Sequence, residues 1–285
     1  MKRNLECGDE SLATLVVGDT HLKQEYVCAA IDKALAKHAI GEIVFTGDYC
    51  DDWLASDGFA LKALSGFVEW VEEKRRGGLP ICVLLGNHDL CYFRGIEGPG
   101  TQVGAMDEIA ELLRRLNLVA ATVVDGYLVT HAGLTNQWAE EHLQPLQISE
   151  ESLTACLAAQ MLNDMFSDSS CWDALDSCGQ GRGGWEIPSP LWADLFELKI
   201  DPAIGINQIV GHTPVPVCAC VEGNGVHLWF CDTFSLTSAL RPIGNGGMLL
   251  VKEGKVEVLD FVRYAGESWA ETIRDYEANS RDSDQ

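Results

Sequence analysis

The sequence predicts an α/β fold, in which helices cover a β-sheet, because short apolar runs alternate with segments of helical periodicity. In the first unit, residues 12–17 form an apolar run that ends at Gly18 and Asp19, and residues 23–38 repeat apolar positions with a helical period. Polar residues that directly follow the strands of such a sheet gather at one edge. We expect the active site at that edge.

Two further units repeat this arrangement. Residues 43–46 precede a loop that begins at Gly47, and an amphipathic helix is predicted over residues 60–76. A third apolar run, residues 81–85, leads into a loop that begins at Gly86. Three strand-end loops are therefore expected side by side.

The second half of the chain is dominated by hairpin signals. Turn residues such as Asp125 and Gly126 separate short β-rich runs. The predicted strand pairs are 123–124 with 127–130, 215–221 with 226–230, and 248–252 with 255–261. This half is therefore expected to supply mostly antiparallel strands.

We interpret residues 1–265 as a single domain and residues 266–285 as a C-terminal tail with a possible helix. Within the domain, a predicted helix over residues 150–166 precedes a loop rich in Ser, Cys and Gly. Few strand signals occur in this part of the chain. We therefore predict that residues 139–200 are an insertion that faces the substrate.

The charge balance restricts the partners of this chain. Its 43 Asp and Glu against 20 Lys and Arg give a formal net charge of −23, which opposes non-specific binding of nucleic acid.

No apolar run approaches the length of a signal peptide or a membrane span. Many of the 11 cysteines lie in apolar segments, as free thiols do. We predict a cytoplasmic protein without a membrane partner, and the sequence leaves its oligomeric state open.

Five strand-end loops contain residue types that bind metal ions, in the segments GDTH, GDYCDD, GNHD, THAG and GHTP. In an extended segment, residues two apart project to the same side, so Asp19 and His21 can bind one ion together. Asp48 can bridge two ions. Carboxylate and imidazole ligands suit Mn²⁺, Fe or Zn²⁺. The histidines outside these loops are expected to be structural: His38, His142 and His227.

These motifs, in this order from Gly18 to Pro214, resemble those of the calcineurin-like metallophosphoesterases. The resemblance is closest to the phosphoprotein phosphatases and to the symmetrical dinucleoside tetraphosphatases. It implies a central β-sandwich flanked by helices, with a dinuclear metal site at the strand ends. It also implies that residues 1–265 are one metallophosphoesterase domain.

The resemblance assigns the ligands of two divalent metal ions, with Mn²⁺ as the expected metal and Fe or Zn²⁺ as alternatives. The first ion would be bound by Asp19, His21 and Asp48, and the second by Asp48, Asn87, His131 and His212. The implied reaction is attack of a metal-bridging hydroxide on phosphorus. By the same resemblance, His88 protonates the leaving oxygen, and Asp51 is the carboxylate that keeps His88 cationic.

Two positions depart from the family pattern. Asp52 and Trp53 stand where the family commonly has Arg-Gly, and Leu22 stands where glycine is common. An arginine would bind phosphate through two hydrogen bonds, whereas an aspartate would repel it unless it turned away or bound another group. Two arginines are candidate replacements: Arg182, within GQGRGGW, and Arg94, shortly after GNHD.

Three functions remain open from the sequence. The first is a phosphatase of the serine/threonine protein phosphatase type, acting on a phosphoprotein or a small phosphate ester. The second is hydrolysis of dinucleoside polyphosphates or other nucleotides. The third is a metal-binding regulator without turnover, which Asp52 in place of the usual arginine motivates.

Overall fold

Two mixed β-sheets form the centre of the structure. The computed structural model describes residues 12–52, 55–144, 152–261, 271, 274 and 276. The first sheet has the order β10-β9-β1-β2-β3 and consists of β1 (Ala13–Val17), β2 (Ile40–Phe45), β3 (Ile81–Val83), β9 (Met248–Lys252) and β10 (Lys255–Leu259). The second has the order β4-β5-β6-β8-β7 and consists of β4 (Ala121–Val124), β5 (Tyr127–Thr130), β6 (Gln208–Val210), β7 (Ala219–Gly223) and β8 (Val226–Phe230).

Eight α-helices whose two ends are both described accompany the sheets. They are α1 (Gln24–Leu35), α2 (Asp57–Arg76), α3 (Asn87–Arg94), α4 (Met106–Leu116), α5 (Asn136–His142), α6 (Ala155–Ser167), α7 (Trp172–Leu175) and α8 (Leu195–Ile200). No helix among the described residues is long and apolar enough to cross a bilayer.

The two sheets pack face to face because their central strands are apolar on both sides. In β1, Leu15 and Val17 contact the cluster formed with α1, α2 and α4, whereas Val16 belongs to a cluster with Val129 of β5 and Ile209 of β6. Successive side chains of a strand point to opposite faces, so Val16 must lie between the sheets. The predicted sandwich flanked by helices is confirmed.

The outer face of the second sheet is covered by the later helices. Leu128 of β5 belongs to an apolar cluster with Trp138 of α5 and Leu162 of α6. Thr154 caps α6 by accepting a hydrogen bond from the amide of Leu157, so the helix begins at Ala155. The predicted start at residue 150 lies outside the described residues.

The hairpins predicted in the second half are present, but the sheet they join is not purely antiparallel. Strand β6 lies between β5 and β8 and runs parallel to both. It is a three-residue strand with no turn signal of its own, so hairpin patterns do not reveal it. Strand β7 begins at Ala219 rather than at residue 215. Most of the predicted tail, residues 266–285, lies outside the described residues.

Candidate metal centre

Two groups of side chains meet at the strand ends and share one carboxylate. Within each group the candidate ligand atoms all lie within 4.8 Å of one another; Asp19, His21 and Asp48 form the first group, and Asp48, His131 and His212 the second. The amide oxygen of Asn87 joins the second group, 2.8 Å from His131 Nε2 and 3.1 Å from His212 Nδ1. The structure thus brings together the six side chains that the sequence motifs single out.

Backbone carbonyl groups determine which ring nitrogen of two histidines is free to bind a cation. His131 Nδ1 donates to the carbonyl oxygen of Thr46 at 3.0 Å, and His21 Nδ1 donates to that of Asp51 at 2.8 Å. When a ring is neutral, as binding of a cation to it requires, its lone pair is therefore on Nε2. His131 Nε2 faces the oxygen of Asn87, which is also an acceptor. Acceptor atoms directed at one another suit a shared cation.

The electrostatics of the cluster favour cations as well. Burial raises the pKa of Asp19 well above its ordinary value, with Asp232 as the next cause. Burial alone would lower the pKa of His131, but Asp48 and Asp19 raise it to about 10. Burial would raise the pKa of Asp48, but the cationic histidines around it, His131 first, lower it. Carboxylates buried this close together need positive charge, which two divalent ions provide, so the residues fit such a pair.

Several of these residues adopt a backbone conformation that is rare for side chains other than glycine. The φ angles of His21, Leu22, Asp48 and His212 are 38°, 63°, 55° and 61°. Each such residue costs on the order of 1–3 kcal/mol and persists only when its surroundings hold it. The φ angle of Leu22 falls in the left-handed region of positive φ, which glycine adopts without strain.

The glycines that precede the ligands make room for ligands of neighbouring loops. A Cβ atom on Gly86 would lie 2.0 Å from Asp48 Oδ1, and one on Gly211 would lie 2.0 Å from Asp19 Oδ1. The two contacts connect loops that are distant in sequence. The absence of a Cβ atom at these two glycines therefore leaves the space that each carboxylate occupies.

Asp89 organises the centre and is missed by motif reasoning. Its Oδ2 accepts hydrogen bonds from the amides of Asp48 and Gly86, both at 2.9 Å, and its Oδ1 accepts from the amide of Tyr49 at 3.0 Å. Asp89 is at the third position of α3, where a side chain can bind the amide that precedes the helix. That helix-start pattern in GNHD is the signal that could have identified it.

His88 and Asp51 form a pair beside the ligand groups. His88 Nδ1 lies 2.9 Å from Asp51 Oδ2, and Tyr92 donates its hydroxyl to Asp51 Oδ1. Burial would lower the pKa of His88, but Asp48 and the hydrogen bond to Asp51 raise it to about 9. Both carboxylates therefore favour the protonated form of His88.

Asp52 lies in the wall of the cavity beside the ligand groups and is paired with a cation of the same chain. Its Oδ2 accepts from Lys23 Nζ at 3.2 Å and from the hydroxyl of Tyr276 at 2.8 Å. Burial would raise the pKa of Asp52, but Lys23 and then His21 lower it. Lys23 is itself fully buried. From the sequence alone, the negative charge of Asp52 is expected to repel phosphate unless it turns away or binds another group. In the structure this charge is compensated by Lys23.

The two candidate arginines have different surroundings. Arg182 donates from Nη2 to the carbonyl oxygen of His212 at 3.2 Å and to Thr213 Oγ1 at 2.9 Å. Arg94 is bound to the carboxylates of Asp173 and Asp176, each at 2.6 Å. Arg182, whose Nε lies 3.3 Å from Asp194 Oδ2, therefore lies next to the second ligand group, whereas Arg94 holds two acidic residues of the predicted insertion.

An open cavity of about 360 Å³ leads to the ligand groups. Its wall includes His21, Lys23, Asp48, Asp52, Asn87, His88, Arg182, Trp192 and His212. The ring of Trp192 stands at 78° to that of His212, and its Nε1 donates to Asp176 Oδ1 at 2.9 Å. Arg94 is not among the described residues of this wall, but it supports Trp192 through their shared partner Asp176.

A family profile described as "Calcineurin-like phosphoesterase" matches residues 12–237. The chain belongs to the calcineurin-like phosphoesterases. It is a metallophosphoesterase by family, and proteins of this family typically bind two metal ions.

Solved structures are similar to this calcineurin-like phosphoesterase at low sequence identity. A cold-active protein-tyrosine phosphatase from a psychrophilic Shewanella species is 16% identical, with 92% of this chain and 87% of that chain covered and a TM-score of 0.56. A protein serine/threonine phosphatase from Saccharomyces cerevisiae is 14% identical, with 87% and 80% covered and a TM-score of 0.43. The comparison with curated proteins finds no match.

Replacing Gly86 by Ala should weaken metal binding, because the new methyl group would overlap Asp48 Oδ1. The matched control is Gly66→Ala in α2, where a Cβ atom has nothing within 4 Å. That change should leave metal affinity unaltered and stabilise the protein by about 0.5–1 kcal/mol. Calorimetric titration of both metal-free variants with Mn²⁺ measures the difference, and equal affinities would contradict the role given to Gly86.

Proposed function

We propose that this protein hydrolyses phosphate monoesters, with a phosphoprotein or a small phosphate ester as substrate. The observation that supports this function is the His88–Asp51 pair, a half-buried proton donor held 2.9 Å from a buried carboxylate beside two groups of candidate metal-ligand side chains. A phosphomonoester needs both parts, because charge develops on the transferred phosphoryl group and on the leaving oxygen.

The proposed ligands of the two ions are those the family resemblance assigns, with Asp48 shared between them. Bound divalent ions would supply positive charge for the phosphoryl oxygens and lower the pKa of a water molecule. Hydrogen bonds to the surrounding backbone already fix the side chains of Asp48, His21 and His131. These side chains would hold the ions in place. Mn²⁺ is the metal to test first, and Fe or Zn²⁺ would suit the same donors.

His88 is the proposed general acid. Asp51 engages Nδ1, so the proton would be donated to the leaving oxygen from Nε2. Asp51 and Tyr92 fix the orientation of the ring, and the raised pKa of His88, about 9, keeps the proton available at neutral pH. Arg182, on the cavity wall, is the proposed cation for the remaining phosphoryl oxygens.

The identity of the leaving group is a separate question. The Shewanella protein of similar fold is described as a protein-tyrosine phosphatase, so an aryl phosphate is the first substrate to test. Nucleotide hydrolysis is the second candidate, and Trp192 favours it because a base can stack on an indole ring in the cavity wall.

With Mn²⁺, the protein should release inorganic phosphate from an aryl phosphate, and a chelator should abolish the release. Asp48→Asn should abolish it too, because the shared ligand loses its charge. The control Asp107→Asn changes an exposed carboxylate in the first turn of α4 and should be neutral. Chromatography of products from phosphopeptides, phosphodiesters and dinucleoside polyphosphates decides the substrate class. Faster formation of nucleotide products would select the second candidate, and no hydrolysis of any ester would reject both.

His88→Asn should lower turnover by roughly 10²–10⁴-fold, the range for loss of a general acid. It should leave the metal content unchanged, because His88 is not a proposed ligand. His227→Asn, which changes an exposed histidine, is the matched control and should retain full turnover. Single-turnover kinetics and metal analysis of the same preparations provide the two measurements. Full activity of His88→Asn would remove it from this role.

A further inference from the structure

A chain of polar contacts connects Tyr276, near the C-terminal end of the sequence, to a candidate metal ligand. Tyr276 donates its hydroxyl to Asp52 Oδ2 at 2.8 Å, and the same oxygen accepts from Lys23 Nζ at 3.2 Å. Lys23 Nζ also donates to the carbonyl oxygen of His21 at 2.7 Å. Four residues from three separate parts of the sequence are therefore connected, and the last of them is a candidate ligand of the first ion.

This chain completes the set of contacts that orient His21. The amide of His21 donates to the carbonyl oxygen of Asp48 at 2.9 Å, and its Nδ1 donates to that of Asp51 at 2.8 Å. Lys23 holds the third polar atom, the carbonyl oxygen. Because His21 has a φ angle of 38°, its backbone needs such external support. With these three contacts made, Nε2 is the polar atom left to face the ion.

The supporting ion pair is buried, so its own geometry depends on the hydroxyl of Tyr276. Lys23, Asp52 and Tyr276 are 0%, 9% and 1% exposed. A buried ion pair compensates its lost hydration only when further hydrogen bonds satisfy the charged groups. The ring of Tyr276 adds to this support, because it makes an edge-to-face contact with Phe59 and its centroid lies 5.2 Å from Lys23 Nζ.

We propose that Tyr276 is a positioning residue for the metal centre, which it stabilises through Asp52, Lys23 and the carbonyl group of His21. The proposal rests on the proposed metal centre and does not depend on the identity of the substrate. It assigns the C-terminal segment a part in binding the first ion, whose proposed ligands are Asp19, His21 and Asp48. The second ion, on the side of His131, should be affected less.

The test is Tyr276→Phe in the full-length protein, because this change removes the hydroxyl group and keeps the packed ring. Titration of the metal-free variant with Mn²⁺ should show roughly tenfold weaker binding of one ion, the lower end of the range for residues that support a ligand. The electron paramagnetic resonance spectrum at limiting Mn²⁺ should change from that of a coupled pair towards that of a single ion. Tyr127→Phe, which alters a buried tyrosine between the sheets, is the control and should change neither measurement.

A second set of variants tests the connection itself. Asp52→Asn should also weaken binding of one ion, and the double variant Tyr276→Phe with Asp52→Asn should bind no worse than the weaker single variant, because both changes interrupt one chain of contacts. Unchanged affinities in Tyr276→Phe, with or without a lower melting temperature, would overturn the proposal. Additive losses would show independent roles and would overturn it too. Wild-type protein that binds two ions but hydrolyses no ester would reject the proposed function while leaving this inference testable.

Discussion

The metal centre depends on the position of one carboxylate, that of Asp48. Its amide donates to Asp89, its carbonyl oxygen accepts from the amide of His21, and its Oδ1 accepts from the amide of His88. Three loops are thus joined through a single residue whose φ angle of 55° is itself strained. Since both ligand groups include this carboxylate, a displacement of any of the three loops disturbs both ion sites at once.

The same region concentrates more negative charge than the protein around it can compensate. Burial, and then the charge of Asp48, raise the pKa of Asp89 to about 7. Burial raises the pKa of Asp232, which follows β8, to about 6, although a hydrogen bond from Ser235 opposes the shift. Divalent cations would lower the cost of these buried carboxylates. Binding of ions here would therefore be coupled to the stability of the strand-end loops, as expected for a site that exists only in the folded chain.

Local patterns in the sequence predicted the parts of the structure that local physics decides. Short apolar runs identified most strands, helical periodicity identified α1, α2 and α6 but not α4, and the residue types after each strand identified the ligand loops. Strand β6 was harder, because its three residues pair in parallel with strands from other parts of the chain. The roles of Lys23, Asp89 and Tyr276 depend on contacts across 29 to 224 positions, such as those to Asp52 and Asp48, which no spacing rule encodes.

Asp52 illustrates how a non-local contact changes the meaning of a residue. An acidic side chain in place of a phosphate-binding arginine argues against a phosphatase only if its charge is not compensated. Lys23 forms an ion pair with Asp52 and Tyr276 donates a hydrogen bond to it, so the pair is neutral as a whole although it lies in the cavity wall. The usual clamp is nevertheless missing. Under the proposed function, phosphate would therefore be bound more by the ions and by Arg182, and the leaving group would be selected by the cavity wall that contains Trp192.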